Sequence, residues 1–590
     1  MRRRKRGARE VEAERVQKWF ERSVSYEGKP YTIDFEQAMA VVDGSKNTIV
    51  VARAGSGKTR TIVAKIVYLV AKCGVKPEEI LAFVFNANAA SEINARLSKM
   101  RVDDKPVMSD VKIANTFHAF ARKVVWNLDK GHKCGEILAE KKELFIFAVV
   151  QGMMKNKEWR EKIWEFIGGD EKMVGYAEEL QNFAKKMEQF VNRAQQKYLA
   201  GEETLRESIG RRLEQDGVEP KEKLFIELGA ECFRRYHYYL LSEKMRRRLC
   251  LEIENDFCAY GTDFNLIVSW ASKMIAGKRD GVEEMLGGKK YILVDEYQDF
   301  SQLFLSVVLA IRKVIPGVKL FVVGDDWQAI NRFAGSEVKY FREFEKYFPE
   351  DSKRLEITTN YRCNYMVVDT ARRFMMKAMG ERGDFWAKSR QAGKVVLVDP
   401  RETEMGYAVV EYDTRVSRKD RMFAETMKAR APKTADYKNT RYLKTLAEIL
   451  MREKRAESIL LLHRNNDTSM GVSISQLGDA LKTALIKMGV FNEETYGKKV
   501  KVMTMHKSKG LEAEAVVILE ADEGVIPKKH PDAGIYGVFG EDDVSALDDQ
   551  KRLFYVAMTR AKKRLYIIHN ESKGVGFVKY LGRSVGKWEE

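Results

Sequence analysis

The stretch Asn47 to Ala71, NTIVVARAGSGKTRTIVAKIVYLVA, limits what this chain can fold into more than any other. It opens with a continuous apolar, β-branched run, passes through a glycine turn, and ends with apolar residues every three or four positions. That order predicts a strand–loop–helix unit. The turn carries Gly57, Lys58 and Thr59 where a phosphate-binding loop needs Gly-Lys-Thr, with Ala52 where its first glycine usually stands. Gly55 and Gly57 let the backbone of Ala54-Gly55-Ser56-Gly57 turn tightly, so that successive N–H groups face phosphate oxygens. Lys58 then reaches the β- and γ-phosphates and the Thr59 hydroxyl ligates magnesium, while the helix N-terminus adds partial positive charge.

The same strand-then-helix order recurs in EILAFVFNANAASEINARL and VKIANTFHAFARKVV, and the runs KKYILVDEYQDF and VKLFVVGDDWQAI end in acidic residues. Strands that are apolar throughout and separated by helices predict a parallel sheet covered on both faces, with ligands at the C-terminal strand ends. From about 122 to 275 long charged segments with few glycines predict a helical insertion that interrupts this first α/β domain. A second α/β region is expected from about 351 to the end, with strands at KVVLVDP, SILLLHR, KVMTM, AVVILEA and RLYIIHN. Residues 1 to about 30 read as a basic arm and a charged helix whose apolar stripe is Val16, Trp19 and Phe20.

Two strand ends carry chemistry. Asp295 and Glu296 in ILVDEYQD suit a Mg²⁺ shell and the activation of a water for attack on a γ-phosphate. Paired acids at a strand end also cap helices; their place after a phosphate loop favours catalysis. In VVGDDWQAINRFAGS, Gln328 stands where it can sense the γ-phosphate. Trp327, Arg332 and Phe333 beside it offer either stacking faces and a cation to single-stranded bases or a buried aromatic cluster.

The formal net charge of +18 favours a polyanionic partner over a small neutral substrate, although solvated helices produce the same excess. No run approaches the roughly 18 apolar residues of a membrane helix, since IVAKIVYLVA is broken by Lys65. The start MRRRKRGARE has no apolar core behind it, so a cytoplasmic protein without a membrane partner is expected. Six cysteines without a Cys-x-x-Cys pair predict free thiols and no structural metal. RRRKR reads as a tail, and MKARAPKTADYKNTRYLKT as an exposed loop.

Taken in order, these segments resemble the superfamily 1A DNA helicases of the UvrD, Rep and PcrA type over most of the chain. ARAGSGKTRT resembles their motif I, ILAFVFNANAASEI and TFHAF motifs Ia and Ib, VDEYQD motif II and GDDWQAINRFAG motif III. TTNYRCN resembles motif IV, VMTMHKSKGLEAEAVVI motif V and QKRLFYVAMTRAKKRL motif VI, while GTDFNLIVSWA is similar to the segment leading back into the first motor domain. The wording DDWQAI and FN-x-x-AA is nearest to the helicase IV subfamily, whereas KGLE in motif V is UvrD-like.

The resemblance implies an α/β fold of two RecA-like P-loop motor domains. The first is expected at 31–121 and 276–350, its helical insertion (1B) at 122–275, and the second at 351–590. Only about 35 residues separate Asn466 from Val502, so a separate second insertion domain (2B) is expected to be absent. ATP and Mg²⁺ are the implied cofactors, single-stranded DNA and its junctions with duplex the implied partner, and 3′-to-5′ translocation with unwinding, in repair or recombination, the implied activity. Gln37 then reads the adenine, Tyr361 stacks on it opposite Arg60, and Glu512 contacts the ribose. Arg362 and Arg560 act as arginine fingers on the γ-phosphate. Phe85, Asn86, Thr116, His118, Phe333, Thr504 and His506 fall where the family's motifs touch single-stranded DNA.

The chain departs from the family at Val84-Phe85-Asn86-Ala87, where Thr-Phe-Thr-Asn is usual, and at Asn331 and Ala334, where a tyrosine and an arginine are usual. The second departure predicts altered coupling between ATP and DNA. A competing expectation is a non-unwinding remodeller that displaces proteins from DNA or from a polymerase complex. A third, a P-loop kinase, conflicts with the paired fingers and the charge.

Overall fold

Each continuous apolar run of the first region becomes a central strand. The computed structural model describes residues 7–108, 112–128, 136–137, 141–169, 175–199, 203–244, 260–381, 383, 385–389, 393–399, 437–469, 471–528, 533–540, 542–570, 574, 576–581 and 586–587. RRRKR lies outside these residues, and so do 427–436 of the basic run expected as an exposed loop; its remainder is not a loop but opens helix Tyr437–Arg452, with Tyr442, Lys444 and Thr445 buried.

Six parallel strands form the first sheet, in the order Ser352–Ile357, Asn47–Ala52, Lys319–Gly324, Tyr291–Val294, Ile80–Val84, Ala114–Thr116. Successive side chains of a strand point to opposite faces, and both faces are apolar here. Ile49, Val51, Leu81 and Phe83 join one core with helices Phe117–Leu128, Phe264–Ala276 and Gln302–Val314. Val50, Ala52, Ile80, Ala82 and Val84 join the other with helices Ala8–Ser23, Phe35–Val41, Lys58–Ala71 and Ala87–Ser98. Burial on both sides is why these strands lack the polar alternation of a half-exposed sheet.

The second sheet is also parallel, in the order Val500–Thr504, Ile459–His463, Ala513–Ile518, Ala561–Ile568, Lys394–Val398, Gly586–Lys587. All five expected strands are present, with a short sixth at the edge.

The chain divides into two units, Met1–Ala52 with Lys58–Ile357 and Pro531–Ala546, and Arg53–Gly57 with Thr358–His530 and Leu547–Glu590. Four expected boundaries shift. Ala13, Val16 and Phe20 of the leading helix are buried in the first sheet's core, so that helix is part of the domain and not of an arm. Helices Phe117–Leu128 and Phe264–Ala276 pack on the first sheet, which narrows the insertion expected at 122–275. Strand Ser352–Ile357 pairs with Asn47–Ala52 and carries the first sheet past residue 350. Residues of 533–539, expected in the second domain, complete the core of the helical insertion instead.

That insertion is built from Lys142–Met154, Lys157–Ile167, Tyr176–Tyr198, Leu205–Leu213 and Pro220–Leu241 around Phe145, Phe183, Phe190 and Phe225. Among the carboxylates it buries is Asp263, whose Oδ2 accepts from Lys142 Nζ at 2.9 Å, Gln195 Nε2 at 2.8 Å and Tyr236 Oη at 2.5 Å, while Oδ1 accepts the Leu266 N–H at 2.8 Å. Among the described residues no helix is long and apolar enough to cross a membrane.

Candidate functional site

In the first unit, the C-terminal strand ends gather the expected acid pair and the start of the phosphate-loop helix. Thr59 Oγ1 donates to Asp295 Oδ2 at 3.3 Å, and Lys58 Nζ stands 3.9 Å from Glu296 Oε2. Glu296 is held at φ +50°, the left-handed region a side chain rarely adopts, which turns the chain sharply between the two carboxylates. The Glu296 N–H donates to Asp295 Oδ1 at 2.9 Å. Burial, then the neighbouring Glu296 charge, pushes the Asp295 carboxyl up to about 7, with Lys58 pulling the other way. A hydroxyl beside a carboxylate that its surroundings leave short of positive charge is the hard-oxygen donor set that suits Mg²⁺. Thr59 and Asp295 fit that ion on this ground.

Gln328 lies in the same unit, 3 % exposed, its Nε2 donating to Asp325 Oδ2 at 2.6 Å. Asp325 is itself fixed, since its N–H donates to Gln298 Oε1 at 2.9 Å, and Gln298 Nε2 donates to Glu296. Gln298 thus ties the acid pair to the turn that presents Gln328. Sequence reasoning missed both Gln298 and Asp325, although they sit inside the two motifs that it used. Of the aromatic pair left open above, Trp327 is fully buried and belongs to the core, whereas Phe333 is 55 % exposed.

Gln37 is buried at the start of its helix, where its N–H donates to Asp34 Oδ1 at 2.7 Å and its Oε1 accepts the Asp34 N–H at 3.1 Å. This reciprocal cap fixes the side chain. Arg60, expected opposite Tyr361, places its guanidinium 4.7 Å from the ring centre of Tyr31, whose hydroxyl donates to the Arg60 carbonyl.

The expected DNA-contacting residues of this unit flank strand ends. Phe85 is exposed after Ile80–Val84. Asn86 Oδ1 accepts the Ala89 N–H at 2.8 Å and Thr116 Oγ1 that of Ala119 at 3.1 Å, so each side chain stabilises the helix that follows it. His118 packs edge-on against Phe264 and Phe304, and burial lowers it to about 4, so it presents a neutral ring.

In the second unit the glycine loop lies against Asn360, Tyr361 and Arg362. Asn360 Nδ2 donates to the Ala54 carbonyl at 2.5 Å, and the Tyr361 N–H to the Gly55 carbonyl at 2.8 Å. Gly55 has φ +72°, and a Cβ added there would stand 2.7 Å from Arg362 Cβ, so only glycine fits. Ser56 is buried and Gly57 takes φ +86°. Arg362 Nε donates to Glu512 Oε2 at 2.9 Å, and Lys562 Nζ stands 2.5 Å from Glu512 Oε1. Burial opposes the Glu512 charge, but Lys562 and Arg362 outweigh it and hold the carboxyl below the usual range. Tyr361 is 45 % exposed.

Arg560 is buried, with Nε donating to the Val556 carbonyl at 2.8 Å, an Nη to the Leu511 carbonyl at 3.2 Å and the other to Thr559 Oγ1 at 3.2 Å. Its direction is therefore set by backbone. Thr504 Oγ1 accepts the Lys507 N–H, and burial, then Arg464 and Lys509, lowers His506 to about 4. Arg464 is a cation that sequence reasoning missed, although it directly follows a recognised strand.

The chain matches the family model of the UvrD/REP helicase N-terminal domain over residues 33–349 and that of the UvrD-like helicase C-terminal domain over 408–572. It is similar to DNA helicase IV of Escherichia coli (strain K12), 26 % identical over 568 residues that cover 92 % of this chain and 69 % of that one. A probable DNA helicase of Mycoplasma pneumoniae is 25 % identical over 542 residues, covering 90 % and 82 %.

Proposed function

The chain belongs to the UvrD/REP family of DNA helicases, and on that premise we propose that it hydrolyses ATP to move 3′ to 5′ along single-stranded DNA and unwind the duplex ahead, in DNA repair or recombination. The observation that supports this reading most is the acid pair in register with the phosphate loop: Thr59 against Asp295, and Lys58 against Glu296.

The resemblance to the family implies the roles, and the chemistry of the residues supports them. Lys58 neutralises the β- and γ-phosphates, and Gly55, Ser56 and Gly57 supply backbone N–H groups. Thr59 and Asp295 would hold magnesium, which when bound would supply positive charge to the phosphate oxygens. Glu296 orients and deprotonates the attacking water, while Gln328, held by Asp325, senses the γ-phosphate. Arg362 and Arg560 neutralise charge that develops on the transferred phosphoryl group; the two already have fixed directions, so little reorganisation accompanies the reaction. Gln37, Tyr361, Arg60 and Glu512 hold the nucleoside. Phe85, Asn86, Thr116, His118, Phe333, Thr504 and His506 hold the strand, with neutral histidines and an exposed ring suited to bases and sugars as much as to phosphates.

A tailed-duplex unwinding assay with 3′ and 5′ tails tests this. The wild-type protein is expected to unwind only the 3′-tailed duplex, and Lys58→Ala to unwind neither while still binding oligonucleotide. Equal unwinding by Lys58→Ala would overturn the mechanism; unwinding of the 5′-tailed duplex alone would overturn the polarity. Protein displacement without strand separation would favour a remodeller.

A further inference from the structure

Residues Ala533–Phe539 stand in sequence between two strands of the second sheet, Ala513–Ile518 and Ala561–Ile568, yet they pack within the first unit. A loop that only joined two strands would need a handful of residues at the surface. This one is buried at Ile535, Tyr536 and Val538 and completes the core of the helical insertion. The Tyr536 ring stands edge-on to Phe225 at 5.2 Å, with the Arg193 guanidinium 4.0 Å from its centre, and Phe539 stands edge-on to Phe190 at 5.0 Å.

Polar contacts fix the segment further. The Val538 carbonyl accepts from Tyr198 Oη and Ser208 Oγ, each at 3.1 Å, and the Phe539 carbonyl accepts from Lys197 Nζ at 3.0 Å. A Cβ added at Gly537 would stand 2.4 Å from Glu222 Oε1, so the backbone approaches the Arg212–Glu222 ion pair as closely as a chain can. From this anchor the chain enters helix Asp543–Met558, and Arg560 follows two residues after its end. Val556, in the last turn of that helix, holds the Arg560 guanidinium.

The same helix that grips the segment also touches the turn bearing Phe333. Tyr176–Tyr198 supplies Arg193 and Lys197 to the segment, and its Gln196 packs so closely on Gly335 that an added Cβ there would lie 2.4 Å from Gln196 Cβ. Phe333, helix Tyr176–Tyr198, the docked segment and the helix leading to Arg560 thus form one packed and covalent series. That series runs past Asn331 and Ala334, the two positions where side chains usual in the family are replaced.

We propose that Ala533–Phe539 is a strut through which DNA bound at Phe333 sets the position of Arg560, so that Tyr536 and Phe539 are positioning residues for ATP hydrolysis. The inference rests on Arg560 acting as a γ-phosphate finger. It differs from coupling through motif III alone, because the signal passes through the helical insertion.

Two variants test it. In the first, about nine Gly/Ser residues inserted after Gly540 lengthen the chain between the docked segment and the helix without touching the packing. The second is Tyr536→Ala with Phe539→Ala, which removes the anchoring rings. Steady-state hydrolysis is measured with and without oligo-dT, together with oligonucleotide affinity. For both, DNA stimulation of kcat is expected to fall at least about five-fold, with the DNA-free kcat, the KM for ATP and the affinity within about two-fold of wild type. Full stimulation in the linker variant would overturn the strut, whether or not the double variant is impaired. Arg560→Ala separates the two claims: it should lose the DNA-free and the stimulated rates together, and wild-type turnover in it would remove the finger reading itself.

Discussion

Asp263 and Asp295 are both buried aspartates of the first unit, 1 % and 6 % exposed, yet their carboxyls are driven in opposite directions. Burial opposes the charge of each. At Asp263 the buried Lys142 ammonium and donors from Tyr236, Leu266 and Gln195 outweigh it and hold the group at about 2. At Asp295 burial is reinforced by Glu296, and Lys58, the Glu296 N–H and Thr59 do not compensate, so the group rises to about 7. The difference teaches how to tell a carboxylate that serves the fold from one that serves a ligand. The fold satisfies the first with its own cations and donors; the second is left short of positive charge, which under the proposed function a bound cation would provide.

The largest expected effect breaks the first half of this contrast. Lys142→Met leaves Asp263 charged and buried without its cation, and removal of one partner from a buried pair costs about 3–5 kcal/mol. Denaturant unfolding should show that loss. A loss under about 1 kcal/mol would mean that the neighbouring hydroxyl and amide donors suffice and that Lys142 is incidental.

Next comes Asp295→Asn, which breaks the other half. Removing the carboxylate should reduce ATP turnover on the order of 10²–10³-fold, the scale of losing one preorganised electrostatic group. Stability should not fall, because the neutral amide relieves the repulsion from Glu296. If the melting temperature fell along with turnover, Asp295 would be a structural residue like Asp263.

Much of this contrast was legible in the sequence, and part of it was not. That Asp295 and Glu296 would lie beside Thr59 and Lys58 was legible because both segments follow the C-terminal ends of strands in one parallel sheet. The strands of both sheets were legible because burial on both faces leaves continuous apolar runs. Asp263 gave no such signal: it caps a helix, and its partners Lys142, Gln195 and Tyr236 lie 27 to 121 residues away in sequence. The docking of Ala533–Phe539 was hidden for the same reason, since GIYGVF has no helical or strand period and its cradle lies more than 300 residues earlier. Arg60 was assigned a stacking partner by resemblance, and the structure places it on Tyr31, a residue that no motif marks.

The smallest expected effect is the sharpest, because the two aspartates must give pH profiles of opposite sign. The folded pKa of Asp263 lies below that of an unfolded aspartate, about 3.9. Its contribution, on the order of a few kcal/mol, is therefore present above pH 4 and lost as pH falls toward 2. The folded pKa of Asp295 lies above the unfolded value, so the folded state holds a proton that the unfolded chain has released, and stability declines as pH rises from about 4 through 7. In buffer without magnesium, the melting temperature of Asp295→Asn should therefore exceed that of the wild type by a margin that widens from pH 4 to 7 and then levels. For Asp263→Asn the variant should instead melt below the wild type at neutral pH, with the gap narrowing toward pH 2. Parallel profiles for the two variants would show that both carboxylates are compensated alike, and the acid at the phosphate loop would lose its distinction from the acid in the core.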